Sequence, residues 1–184
     1  MPESICSTDS NSEHSPGQLA VRVRQASREG KLVPLEEAGQ GSEAEFLAWK
    51  RTQETSTVDD IVSICELGQV YLYSELHMTR SYAQMLARAG CRDIRRAIVQ
   101  TVRDESAAYP RPTPMESFRK PPFSFSAEAL QQACEAILGN PEYADIHQIR
   151  ASNGSVFLFS STYMDPAHAA SLADWLAADH LRNP

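Results

Sequence analysis

The chain has 184 residues, 42% hydrophobic and 22% charged, which is too long and too apolar for a disordered segment and enough to bury a core. Eight Gly and 11 Pro exclude collagen-like or Gly-rich low complexity, and no run approaches the roughly 18 uninterrupted apolar residues of a membrane-spanning helix. A formal charge of −7 works against unaided binding to DNA phosphates or anionic lipid.

Residues 1–17 are almost all Ser, Thr, Asn, acidic residues, Pro and Gly, a composition that reads as a disordered tail. They contain no basic and apolar stretch of the secretory kind, so a cytoplasmic protein is expected. A helix is expected over 18–29, then a Pro-containing extended piece. A second helix follows from Ser42, which sits where an N-cap belongs. Ile61 to Tyr73 reads as a hairpin around Leu67-Gly68, and Thr79 caps a helix over 80–89. A helix over 92–108 comes next. Tyr109-Pro-Arg-Pro-Thr-Pro114 cannot be helical, because each proline pushes its predecessor toward extended dihedrals; a short edge strand suits it. Ser126 caps a helix over 127–138, which Gly139-Asn140-Pro141 breaks, with a further turn through Tyr143. Ile146 to Phe159 reads as a second hairpin. Its Asn153-Gly154 pair is a turn signal because both residues accept positive φ. Asp165 and Pro166 open a last helix over 166–178.

The chain also repeats itself. GQVYLYSELHMTRSYAQMLA (68–87) and GSVFLFSSTYMDPAHAASLA (154–173) match without a gap, with eight of 20 positions identical, where unrelated sequences share about one. Upstream, Asp60-Ile61 parallels Asp145-Ile146, Ser42 parallels Ser126, Pro34-Leu35-Glu36 parallels Pro114-Met115-Glu116, and Arg24 and Ser27 parallel Arg103 and Ser106. A tail and two modules, 18–90 and 91–184, follow from this. Helix, short extended segment, helix, hairpin, helix is the order of a winged-helix unit. The expected fold is therefore α+β, two tandem winged-helix-like modules related by internal duplication. Val70/Leu72 and Val156/Leu158 point one way and Tyr71/Tyr73 and Phe157/Phe159 the other, so the second strand of each hairpin should be sandwiched or lie at an interface.

A DNA-reading winged helix needs Arg or Lys on its second helix and wing. Here the first hairpin carries Glu66 and no base, the second only Arg150, the helix over 127–138 has Glu128 and Glu135 and no base, and the helix after Ser42 has Lys50 and Arg51 beside Glu43, Glu45 and Glu54. Residues 18–97 hold 11 basic and 11 acidic residues, whereas 98–184 hold six basic and ten acidic. The one basic cluster is Arg88, Arg92, Arg95 and Arg96, which share a face and could contact an anion if the helix runs through Gly90. No catalytic motif emerges, and no cofactor or metal site is expected: Cys6, Cys65, Cys91 and Cys134 form no Cys-x-x-Cys pair. Convergence of Cys65, Cys91 and His77 would be the one route to thiol chemistry. Tyr71, Tyr73, Phe157 and Phe159, and the Pro121-Pro122 step, are the candidate partner surface, with core packing as the alternative for the aromatics.

The runs VRDESAAYPRPTP, PPFSFSAEAL, YADIHQIRASNGSVFLFSSTYMDP and ASLADWLAADHLRNP resemble a group of small bacterial proteins, the YdhW-like oxidoreductase-system accessory proteins. The resemblance covers about the last two-thirds of the chain. It implies a cytoplasmic helper encoded with redox enzymes and carries over no catalytic residue. The resulting expectation is a non-enzymatic accessory protein with a protein partner. A DNA-binding transcriptional regulator is the alternative and a thiol-dependent redox protein the third reading.

Overall fold

The computed structural model describes residues 16–39, 41–53 and 55–182. The expected tail lies outside these residues except for Pro16 and Gly17, which already belong to α1 (Pro16–Arg28). Proline is well placed there, since the first helical N–H has no partner to lose. The chain folds as two compact units, the first ending at Gln84 and the second beginning at Met85.

In the first unit α1 leads to β1 (Val33–Pro34), a 3₁₀ turn over Glu36–Ala38, α2 (Glu43–Arg51), the four-residue α3 (Thr55–Val58), and the hairpin β2 (Ile61–Glu66) and β3 (Gln69–Ser74). In the second, α5 (Ile94–Ala108) leads to β4 (Thr113–Pro114), a 3₁₀ turn over Met115–Arg119, α6 (Ala127–Leu138), a 3₁₀ turn over Pro141–Tyr143, the hairpin β5 (Ile146–Arg150) and β6 (Val156–Ser160), and α7 (Pro166–Arg182). Helix α4 (Arg80–Ala89) carries the division between the units. The architecture is mixed α+β, with two similar subregions.

The sheets show how close the similarity is. Each is three-stranded and antiparallel, in the order β1-β3-β2 and β4-β6-β5. Val33 pairs with Leu72 and Ile61 with Ser74 in one; Thr113 pairs with Leu158 and Ile146 with Ser160 in the other. Sequence-equivalent residues therefore hold the same register, as an internal duplication requires. The predicted caps also form: Ser42 accepts from the Glu45 N–H and Ser126 from the Ala129 N–H, each at 3.2 Å. Asp165 accepts from the Ala167 N–H at 2.8 Å and Thr79 from the Tyr82 N–H at 3.3 Å.

The hairpins close differently. Leu67 and Gly68 both take positive φ, +52° and +86°, the geometry of a tight two-residue turn. In the second hairpin only Gly154 does, at +88°. The Gly154 N–H reaches the Ala151 carbonyl and the Ala151 N–H reaches the Ser155 carbonyl, both at 2.9 Å, so the loop has three residues and ends in a glycine bulge. Asn153 is not in the left-handed region; its Oδ1 accepts from the Ser155 N–H at 2.9 Å instead, as asparagine does when it sets a turn by side chain.

Each unit has its own core. Leu19, Ala20 and Val23 of α1 meet Val33, Phe46, Ile61 and Leu72; the equivalent Ile98, Val99 and Val102 of α5 meet Leu130, Ile137, Ile146 and Leu158. The second core is enlarged by Phe118 and Phe123, ring centroids 5.1 Å apart, which tie the Pro-rich loop down. β6 is sandwiched: Leu158 enters this core, whereas Phe157 on the other face meets Ala173 and Ala177 of α7, and Phe159 meets Met164 and Ala169.

Candidate functional site

The polar residues that recur in both copies assemble into the same device twice. Arg24 of α1 grips the Asp60 carboxylate, Nε to Oδ2 at 3.0 Å, and the Ser74 hydroxyl donates to Asp60 Oδ2 at 2.5 Å. The Ser74 N–H in turn reaches Ser27 Oγ at 2.9 Å. In the second unit Arg103 Nε lies 3.0 Å from Asp145 Oδ2, Ser160 Oγ donates to Asp145 Oδ2 at 2.7 Å, and the Ser160 N–H reaches Ser106 Oγ at 3.1 Å. The guanidinium hydrogen bonds, aided by the serine hydroxyls, hold both carboxyls below the usual carboxylate range against the opposing effect of burial. All four serines are buried. These clasps tie the first helix of each unit to its hairpin; their side chains are committed to each other, which makes them structural. Four pairings noted in the sequence are thus one network, a link legible only once the partners are seen together.

The arginine cluster does not form. The helix stops at Ala89, where the Gly90 and Cys91 N–H groups close on the carbonyls of Leu86 and Arg88 at 3.0 Å, and Asp93 starts a new helix by capping the Arg95 N–H. Arg88 is only 4% exposed and pairs with Asp104 of α5. Arg92, Arg95 and Arg96 lie outside, with Arg95 Nε folded back on Asp93 Oδ1 at 3.1 Å. The four do not share a helix face because the helix expected to align them is broken.

Of the candidate aromatic surface, Tyr73, Phe157 and Phe159 are buried and Tyr71 is half-buried. Pro121 is exposed and Pro122 half-buried, between the anchored Phe118 and Phe123. His77 Nε2 accepts from Arg28 Nε at 3.1 Å. Cys65 is exposed and Cys91 half-buried, whereas Cys134 is buried, which pushes its thiol up to about 11. That direction is opposite to the activation of a nucleophilic thiol. Among the described residues no cluster of three His, Cys, Asp or Glu could hold a metal ion, and no helix is long and apolar enough to cross a membrane.

The site that none of these expectations located is a groove of about 970 Å³ in the second unit. Its walls are the turn at 115–120, helix α6 and the end of the β5–β6 hairpin. Met115, Leu130, Cys134, Leu138 and Val156 supply an apolar lining, with Arg119 and Lys120 from the turn and Arg150 from the hairpin. Arg119 Nη1 lies 3.2 Å from Glu116 Oε2, and Gln131 Nε2 donates to Glu135 Oε1 at 3.0 Å. The only signal of it in the sequence was Arg150, the one base of its hairpin.

The chain is 31% identical over 182 residues to the Escherichia coli (strain K12) protein YdhW, itself named only as uncharacterized, covering 96% of this chain and 85% of that protein. The chain belongs to the YdhW family. The family model for the YdhW C-terminal domain matches residues 92–181, which takes in the second copy from the start of α5 into α7 and with it every residue of the groove. No solved structure matches.

Proposed function

We propose that this member of the YdhW family is a non-enzymatic accessory protein that works by holding a protein partner, built from two winged-helix-like modules. The sheet order and the helix–strand–helix–hairpin sequence in both units support the winged-helix-like reading. The observation that carries the function is the groove: it is lined by apolar and ionic side chains, and its one thiol is raised rather than lowered in pKa. The cytoplasmic, redox-associated setting follows the YdhW resemblance.

DNA reading is the second interpretation, favoured by element order alone. The elements that would do it are poorly charged for phosphate. α6 carries Glu128 and Glu135 and no base. On α2, Lys50 Nζ donates to the Asp59 and Ile61 carbonyls at 2.9 and 2.7 Å. Arg150 turns to the Gly154 carbonyl at 3.2 Å. Affinity purification of the full chain with quantitative mass spectrometry should recover a stoichiometric protein partner; none under either aerobic or anaerobic growth would count against the accessory reading. A mobility shift near 150 mM salt should give only weak, unselective DNA binding. Sub-micromolar sequence-selective binding would move the interpretation to a regulator.

A further inference from the structure

The two copies differ most usefully where the groove lies. In the first unit the space between the helix start and the hairpin is bridged: Ser63 Oγ donates to Glu43 Oε1 at 2.8 Å. Glu43 is the first residue after cap Ser42, and Ser63 is the β2 residue paired with Leu72. Their equivalents are Ala127, the first residue after cap Ser126, and Gln148, which pairs with Leu158. Both line the groove, and Ala127 has no polar group to bridge it. One register step along, Cys65 of the first hairpin is replaced by Arg150 of the second. The second copy thus keeps the clasps and core, lacks the first copy's bridge, and carries a cation at the edge of the cleft.

The charges there run against the surrounding composition. Residues 98–184 contain six basic residues against ten acidic, yet Arg119, Lys120 and Arg150, half of those six, line this one groove on two walls. Among the described residues Lys120 is exposed and makes no ion pair; of the two lining carboxylates, Glu116 pairs with Arg119 and Glu135 accepts a hydrogen bond from Gln131. The same groove is lined by Leu130, Leu138, Met115 and Val156. A small polar metabolite would leave such side chains uncovered; a chain with apolar side chains and flanking carboxylates would satisfy both kinds of wall.

We propose that the groove between α6, the 115–120 turn and the β5–β6 hairpin receives a short segment of a partner protein in which apolar and acidic residues are interleaved. The proposal rests on the accessory reading and names its site. Binding would be salt-sensitive through Lys120 and Arg150, and anchored by apolar side chains over Leu138, Met115 and Val156.

The test uses the full chain and a fluorescein-labelled twelve-residue peptide repeating Glu-Leu-Glu-Phe-Asp-Leu, read by anisotropy. The wild type should bind it, and the same peptide with Lys in place of every acid should bind about tenfold more weakly or not at all. The paired substitution Ala127→Glu and Gln148→Ser copies the first unit's bridge onto exposed positions and should weaken binding by about tenfold with an unchanged circular dichroism spectrum. Charge reversal, Lys120→Glu with Arg150→Glu, should do the same by a separate route. Equal binding of acidic and basic peptides, equal binding by the bridged variant, or no binding up to about 1 mM would each overturn the proposal. Affinity purification separates this from the broader reading. A partner recovered equally by wild type and bridged variant leaves the accessory role standing and removes the groove from it. Peptide binding lost in the bridged variant, with no partner recovered by wild type, leaves the groove and removes the accessory role.

Discussion

Replacing Asp60 by Asn keeps the size and one acceptor oxygen of the side chain but removes the charge that Arg24 grips. Breaking a fully buried ion pair by removing one partner costs about 3–5 kcal/mol, whereas an exposed pair contributes about 0–1 kcal/mol. Here the Asp60 side chain is 10% exposed and that of Arg24 27%. The guanidinium also donates to the Thr57 carbonyl at 3.0 Å, so it keeps one partner in the variant. A loss of about 2 kcal/mol is expected, between those limits and a factor of about 30 in the folding equilibrium. The same change in the second unit, Asp145→Asn, should cost less, because Arg103 and Asp145 are 33% and 18% exposed.

The chain offers its own reporter. It has two tryptophans. Trp49 packs on Phe46 in the first unit, ring centroids 5.8 Å apart, while Trp175 is 63% exposed. In a Trp175→Phe background, Trp49 fluorescence follows urea unfolding of the first unit, and Asp60→Asn should lower its midpoint by about 1–2 M. The pH dependence carries a sign that packing alone cannot imitate. The folded carboxyl titrates below its ordinary value, chiefly because Arg24 hydrogen-bonds it. Its stabilisation is therefore complete above the unfolded pKa of about 3.9 and is lost as pH falls through the lower folded value. The gap between wild type and variant should be constant from about pH 7 to 5 and shrink below about 4. A difference under about 0.5 kcal/mol at neutral pH, or a gap independent of pH down to acid unfolding, would refute the clasp as a stabilising ion pair.

Other consequences are as direct. Thr113 has a buried hydroxyl without a hydrogen-bond partner where the first copy has Val33; Thr113→Val should raise stability by about 1 kcal/mol in chemical denaturation, since an unpaired buried hydroxyl is removed at constant shape. Leu67 holds φ +52°, so Leu67→Gly should stabilise the first unit by about 1 kcal/mol, measured by the Trp49 transition; destabilisation would mean that its side chain contributes more than the backbone costs. In a Cys6→Ser background, Cys134 should resist maleimide in the native state and react on unfolding, and of the three described cysteines Cys65 should react first, as intact-mass spectrometry on the folded chain would show.

Local chemistry was readable where a nearby residue decides the outcome. Ser42, Ser126, Thr79 and Asp165 sit within a turn of the N–H groups they cap, and strand alternation carried the sandwiching of β6. Long-range decisions were not readable. The spacing of Arg88, Arg92, Arg95 and Arg96 suits one continuous helix, and only the competition between Gly90 and the Asp93 cap breaks it. Arg88 is buried and paired with Asp104, 16 positions away on the next helix. Asn153-Gly154 promised one turn and formed another, because Asn153 spends its side chain on the Ser155 N–H and on the Ala177 carbonyl of α7. The groove drew its walls from three separated segments, none distinctive alone.

The duplication supplies the criterion that a single domain would lack. A residue kept in both copies, in the same contact, is accounted for by folding: Arg24 and Arg103 on Asp60 and Asp145, the four clasp serines, and Leu72 and Leu158 at one sheet position. None of these needs a ligand to explain it. Where the copies differ at matched backbone positions, folding has already been satisfied by either choice, so the difference is free to serve something else. Glu43 to Ala127, Ser63 to Gln148 and Cys65 to Arg150 are three such changes, and the three second-copy residues line one groove. All three lie in the half of the chain that the YdhW C-terminal domain covers, and the proposed binding site is therefore placed in the second copy, to be tested by the bridged variant.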